Sequence, residues 1–105
     1  MKVGIDMTYI PRFRDKSRLA KKVLSDEEFL AYSDSIDKAQ YLASRYALKE
    51  ALIKALELSI LSVDLRLIKT IKKDNGAVYI EFNGKKYECS LTHENKYCVG
   101  IVLND

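Results

Sequence analysis

Leu42 to Leu56 reads LASRYALKEALIKAL, and its spacing predicts a helix that hides charge among small residues. At about 100° per residue, Ala43, Ala47, Glu50, Lys54 and Glu57 share one face within roughly 80°, while Leu48, Leu52 and Leu56 crowd the opposite side as core. Alanines one turn before a carboxylate let another backbone or a ligand approach it, and a helix built only for solubility has no need of them. Taken alone, Glu50 and Lys54 are also an i, i+4 pair of the kind worth about 0.2–0.5 kcal/mol on a solvated helix. The rest of the chain decides between these readings.

Outward from that segment, the helix is expected from about Lys38 to Leu58, with Ser33 to Asp37 breaking it from a preceding one. Ser25-Asp26-Glu27-Glu28 is a capping box, Ser25 as cap and Glu28 three residues on, and it starts a helix carrying Phe29, Leu30 and Tyr32. Pro11 sits where a helix can begin, within a basic stretch running to Val23. Before it, Lys2 to Met7 alternates, with Val3, Ile5 and Met7 on one side and Gly4 and Asp6 on the other, a short strand with one buried face. After Ser62 the pattern is that of strands. Leu65 to Lys72, Ala77 to Phe82, Lys85 to Leu91 and Tyr97 to Leu103 form a meander. Asn75-Gly76 and Asn83-Gly84 make tight turns, since both residues tolerate positive φ, and Thr92-His93-Glu94-Asn95 joins the last two strands. The order predicts one α+β domain over residues 1–105, with helices packed on one face of a mostly antiparallel sheet.

At 48% hydrophobic and 31% charged residues, the chain has the composition of a globular rather than a disordered protein. No apolar run approaches the ~20 residues that span a bilayer, and Asp6 interrupts any secretory core at the start, so no membrane partner and a cytoplasmic address are expected. Cys89, Cys98 and His93 form a conceivable zinc trio, but zinc prefers four ligands at tighter spacing, and two buried free thiols are expected instead. The net charge of +3 is mild; its distribution is not. Arg12, Arg14, Lys16, Arg18, Lys21 and Lys22 fall together against the single acid Asp15, a patch that attracts phosphate, nucleic acid or an acidic protein surface, or is simply a solvated helix face.

LASRYALKEALIKA resembles the signature F/L-A-x-R-F/Y-A-x-K-E-A-x-x-K-A of the phosphopantetheinyl transferases, most closely the short holo-(acyl carrier protein) synthase type. Four further segments match in the same order: VGIDMTYIPRF, VLSDEEF, DNGAVYIEFNG and SLTHENKYCVGIV. The chain departs from the family where Glu57-Leu58-Ser59 replaces a glycine after the long helix. Val78 stands for a turn proline, and Cys98 and Gly100 stand for small alanines in the last strand.

The resemblance implies transfer of phosphopantetheine from coenzyme A to a serine of an apo-acyl carrier protein, with Mg²⁺ as cofactor. Asp6 and Glu50 would be its two carboxylate ligands, a usual protein share for Mg²⁺ at a pyrophosphate. Lys54 would meet the phosphates, and His93 with the Asn75-Gly76 hairpin would line the coenzyme site. The serine base is either Glu50 through a water or a metal-bound hydroxide. The acidic carrier protein would dock on Arg12, with Arg14, Arg18, Lys21 and Lys22 assigned by neighbourhood. The short type also implies a homotrimer with active sites between subunits. Two other classes fit less well. A nucleic-acid-binding module lacks an evident stacking platform on adjacent strands, so no nucleic acid is expected. An inactive relative would have no reason to keep Asp6, Glu50 and Lys54.

Overall fold

The computed structural model describes all 105 residues. Strand β1 (Lys2–Tyr9) leads through a 3₁₀ turn (Ile10–Phe13) to three helices, α1 (Ser17–Val23), α2 (Asp26–Asp34) and α3 (Lys38–Ala55). Four strands follow: β2 (Lys69–Lys72), β3 (Val78–Phe82), β4 (Lys85–Glu94) and β5 (Tyr97–Asn104). They form one five-stranded sheet in the order β1-β5-β4-β3-β2, and every neighbouring pair is antiparallel. The expected α+β class therefore holds. The first half of β4 pairs with β3 and the second half with β5, so β2, β3 and the first half of β4 form an arm beyond β5.

The local signals act where the chemistry says they should. Glu28 N–H donates to Ser25 Oγ at 3.3 Å and Ser25 N–H to Glu28 Oε1 at 2.8 Å, completing the capping box. Asn83 and Gly84 both take positive φ, 51° and 76°, and make the two-residue turn between paired Phe82 and Lys85. At the other hairpin only Gly76 does so (90°), and Asn75 instead accepts the Ala77 N–H on its side chain at 3.0 Å. Of the stretch expected as strand from Leu65, residues Leu65–Leu67 form a 3₁₀ turn.

The end of α3 is a correction. It stops at Ala55 rather than Leu58. The Leu58 N–H returns to Ile53 O at 3.0 Å and the Glu57 N–H to Lys54 O at 3.1 Å, a Schellman cap. Glu57 stands in its left-handed position at φ 57°, where a glycine fits without strain, within the Glu57-Leu58-Ser59 stretch where the resemblance leads one to expect a glycine.

Strand β1 has the single buried face that its alternation predicts, and that face is the one with the small and polar residues. Its buried side is Gly4, the partly covered Asp6 and Thr8, while Val3, Ile5 and Met7 are 54%, 56% and 63% exposed. Alternation defines two faces but not which one meets the helix. Here α3 lies so close that a Cβ on Gly4 would fall 1.7 Å from Ala51 O, and one on Gly100 in β5 would fall 3.1 Å from Leu48 Cδ2. The small residues of α3 thus serve the sheet: Ala43, Ala47, Ala51 and Ala55 are all buried, and Thr8 Oγ1 donates to Ala43 O at 3.0 Å. Two apolar clusters result, one joining the first half of α3 to α1, α2 and the 3₁₀ turn, the other joining its second half to the arm and β5.

Candidate active site

Close packing of β1 on α3 brings residues far apart in sequence to one edge. Lys54 Nζ donates to Asp6 Oδ1 at 2.9 Å and to Ile5 O at 3.0 Å. Glu50, one turn earlier, completes the group. Burial raises its carboxyl above the usual range, and the nearby Asp6 charge adds to this while Tyr46 and Lys54 oppose it. The Tyr46 hydroxyl is itself pushed up to about 12 by burial and by the Glu50 and Asp6 carboxylates beside it. Glu50 and Lys54 are therefore not the simple surface pair that their spacing allows, because Lys54 engages Asp6.

Two like-charged carboxylates held together, one of them partly desolvated, form a donor set that a divalent cation relieves. The oxygens suit Mg²⁺, which takes few protein ligands and keeps waters. No three His, Cys, Asp or Glu side chains converge anywhere in the chain to hold a metal, so at this edge the protein would offer two carboxylates. Cys89, half-buried, donates its thiol hydrogen to Val78 O at 3.2 Å, and burial pushes that thiol up to about 11; Cys98 is buried and raised as well.

The other expected residues lie apart from this edge. His93 is within β4, not in a turn, paired with Cys98. It lines an open hollow of about 540 Å³ with Met7, Thr92 and Val99. Asn75 and Gly76 stand at the tip of the arm, with no hydrogen bond to Asp6, Glu50 or Lys54. Gly76 lines a second hollow of about 320 Å³, whose walls include Lys72, Val78, Cys89 and Arg45 of α3. Arg18, Lys21 and Lys22 of α1 flank a groove with Ile60, Leu65 and Arg66. Arg14 lies in another hollow beside Phe29 and Lys38, and Arg12 is exposed in the 3₁₀ turn.

Arg45 was not among the residues expected from sequence. Its guanidinium stacks on Tyr41 with 4.4 Å to the ring centroid, one terminal nitrogen donates to Ser44 Oγ at 3.0 Å, and its buried Nε has no hydrogen-bond partner. Arg45 also lines the hollow beside Gly76, where a guanidinium suits an anion. Its signal in the sequence was the arginine of LASRY, a charge in the otherwise uncharged Ala39–Leu48 stretch of α3.

Comparison with known proteins gives one consistent result. The model of the 4'-phosphopantetheinyl transferase superfamily matches residues 2–102. The holo-(acyl-carrier-protein) synthase of Mycoplasma mobile is 36% identical over 106 residues, covering 96% of this chain and 86% of that one. That of Staphylococcus carnosus is 31% identical over 109 residues, covering 96% and 93%. Among solved structures, the Neisseria meningitidis enzyme superposes with a TM-score of 0.86 at 22% identity, covering 96% and 94%, a likeness of fold. The Helicobacter pylori enzyme in complex with coenzyme A does so with a TM-score of 0.84 at 26% identity, covering 96% and 97%.

Proposed function

The chain belongs to the 4'-phosphopantetheinyl transferase superfamily, and from that membership we propose that it acts as a holo-(acyl-carrier-protein) synthase. The serine hydroxyl oxygen of an apo-acyl carrier protein bonds to the β-phosphorus of coenzyme A. The bond from that phosphorus to the bridging oxygen breaks, and 3',5'-ADP leaves with the electron pair. The observation that carries this reading is the convergence of Asp6, Glu50 and Lys54 at one edge of β1 and α3.

Asp6 and Glu50 are the residues that would hold Mg²⁺, which when bound neutralises charge on the pyrophosphate oxygens. Lys54, 54% exposed at its side chain, can turn its ammonium from Asp6 to the phosphates as a point charge. Tyr46 and burial hold Glu50 at the edge of the site, where it would take the serine proton through a water. Arg45, Lys72 and the Asn75-Gly76 hairpin suit the phosphorylated nucleotide end of coenzyme A, with His93 serving it from β4. The basic groups Arg12, Arg14, Arg18, Lys21 and Lys22 suit the acidic carrier protein, mainly by raising its association rate.

The assembly is proposed as a homotrimer, with Asp6 and Glu50 of one copy facing part of the nucleotide pocket of the next. Its support is the exposed apolar side of β1, continued on β5 by Val99, Ile101 and Leu103, together with the separation of the arm and His93 from Asp6. A closed ring would cover both. No helix is long and apolar enough to cross a membrane, which accords with the proposed cytoplasmic setting. The test is the intact mass of an apo-acyl carrier protein after incubation with this protein, coenzyme A and Mg²⁺. A gain of about 340 Da, the phosphopantetheine group, supports the transferase, and no gain across several carrier proteins rejects it.

A further inference from the structure

We infer that Glu28, held by Lys49, is a positioning residue that sets the nucleotide-binding arm at its working distance from α3. The inference rests on the reading of Arg45 and the Asn75-Gly76 hairpin given above. Lys49 is fully buried in a helix whose other buried side chains are small or apolar, apart from Ser44. Its ammonium spends all three protons: on Val23 O at 2.6 Å, Glu28 Oε1 at 2.6 Å and Leu65 O at 3.0 Å. Glu28 Oε1 also accepts the Ser25 N–H. Its second oxygen, Oε2, accepts both the Thr70 N–H at 2.9 Å and the Thr70 hydroxyl.

Thr70 lies in β2, which has a neighbour on one side only, β3. Its outward N–H would otherwise be a bare sheet edge, and Glu28 is what meets it. From Thr70 the chain runs directly through Lys72 to the hairpin tip. Arg45 of α3 and Lys72, Gly76 and Val78 of the arm face each other across one cavity. One carboxylate thus ties both walls of that cavity together, by Lys49 to α3 and by Thr70 to the arm. An apolar contact would fill the same space without fixing direction, and a buried ion pair is generally no more stabilising than such a contact. What the pair adds is the distance between the walls.

Thr70→Val keeps the side-chain volume and the backbone bond but removes the hydroxyl donor to Glu28. The expected result is a KM for coenzyme A raised about three- to tenfold, the share of one ordinary hydrogen bond's worth of positioning. Binding of 3',5'-ADP by calorimetry should weaken alike, with kcat and the KM for carrier protein within twofold of the wild type, and Thr70→Ser should restore the coenzyme value. A second variant, Glu28→Leu with Lys49→Met, should regain a wild-type melting temperature while the coenzyme KM stays high. If that double variant does not fold, the Thr70 variants decide. Unchanged coenzyme KM in Thr70→Val, or equal changes for both substrates, overturns the positioning role. Failure of the wild type to bind coenzyme A at all overturns instead the function on which it rests.

Discussion

Lys49 and Lys54 stand little more than one turn apart on α3, and each meets a carboxylate from another element, yet the two pairs are opposite in character. Lys49 and Glu28 are sealed from solvent with every ammonium proton placed, so nothing remains for a ligand. Lys54 and Asp6 are 54% and 18% exposed, with Glu50 beside them carrying a raised carboxyl and lone pairs to spare. In the proposed roles, the sealed pair would hold the frame, and the open group would exchange its internal cation for a substrate's phosphates and a metal. The difference follows from position: Lys49 points into the seam between the two apolar clusters, whereas Lys54 lies at the edge where β1 meets α3.

The comparison breaks most visibly under substitution of the open group. Glu50→Gln or Asp6→Asn should lower kcat about 10²- to 10³-fold, since both are proposed to hold the charge-neutralising cation, while thermal unfolding scans move little. A large loss of melting temperature with intact turnover would reverse the assignment. The sealed pair should behave in the other way. Glu28→Leu alone leaves the Lys49 ammonium buried and unpaired, and should cost about 3–5 kcal/mol in urea unfolding.

Acid should separate the two pairs further. Burial pushes the Glu28 carboxyl up, but Lys49, Thr70 and the Ser25 N–H outweigh it and leave it below its ordinary 4.5. A carboxyl depressed by folding contributes stability that is present in full above that value and is lost as pH falls through the folded value. Glu28→Gln should therefore be less stable than the wild type at neutral pH, and the gap should narrow below about pH 4.5; a gap that widens in acid would contradict the ion pair. The smallest effect belongs to the cap of α3. Glu57→Gly relieves a left-handed φ and gives up only the exposed Lys2–Glu57 contact, so the melting temperature should rise by a few degrees. A fall would show that the contact outweighs the strain.

What the sequence disclosed was local or patterned. Ser25 and Glu28 announce a capping box because both bonds lie within one turn, and Asn83-Gly84 announces its hairpin because the turn demands two left-handed residues. Spacing set Glu50 and Lys54 on one face of the helix, but their link to Asp6 came by resemblance, since no spacing rule links a residue in β1 to one in α3. What stayed hidden depends on long-range approach. The alternation of Lys2 to Met7 announces two faces but not that the helix settles on the glycine side, where backbones can touch. Glu28 read only as a cap, and nothing local says that its other oxygen is claimed by Thr70. Lys49 carried a faint signal, with Leu52 and Ile53 one turn on at i+3 and i+4, and its acid partner could not be chosen among fifteen carboxylates.

The most direct test concerns the cation that Asp6 and Glu50 are proposed to hold. Titration of the protein with Mn²⁺ in the presence of coenzyme A, read by electron paramagnetic resonance, measures it directly. One site per chain is expected, weakened on the order of tenfold or more by Asp6→Asn and by Glu50→Gln but unchanged by Asp64→Asn, a distant exposed carboxylate paired with Arg66. Binding unaffected by the first two variants, or weakened equally by all three, would contradict that proposal.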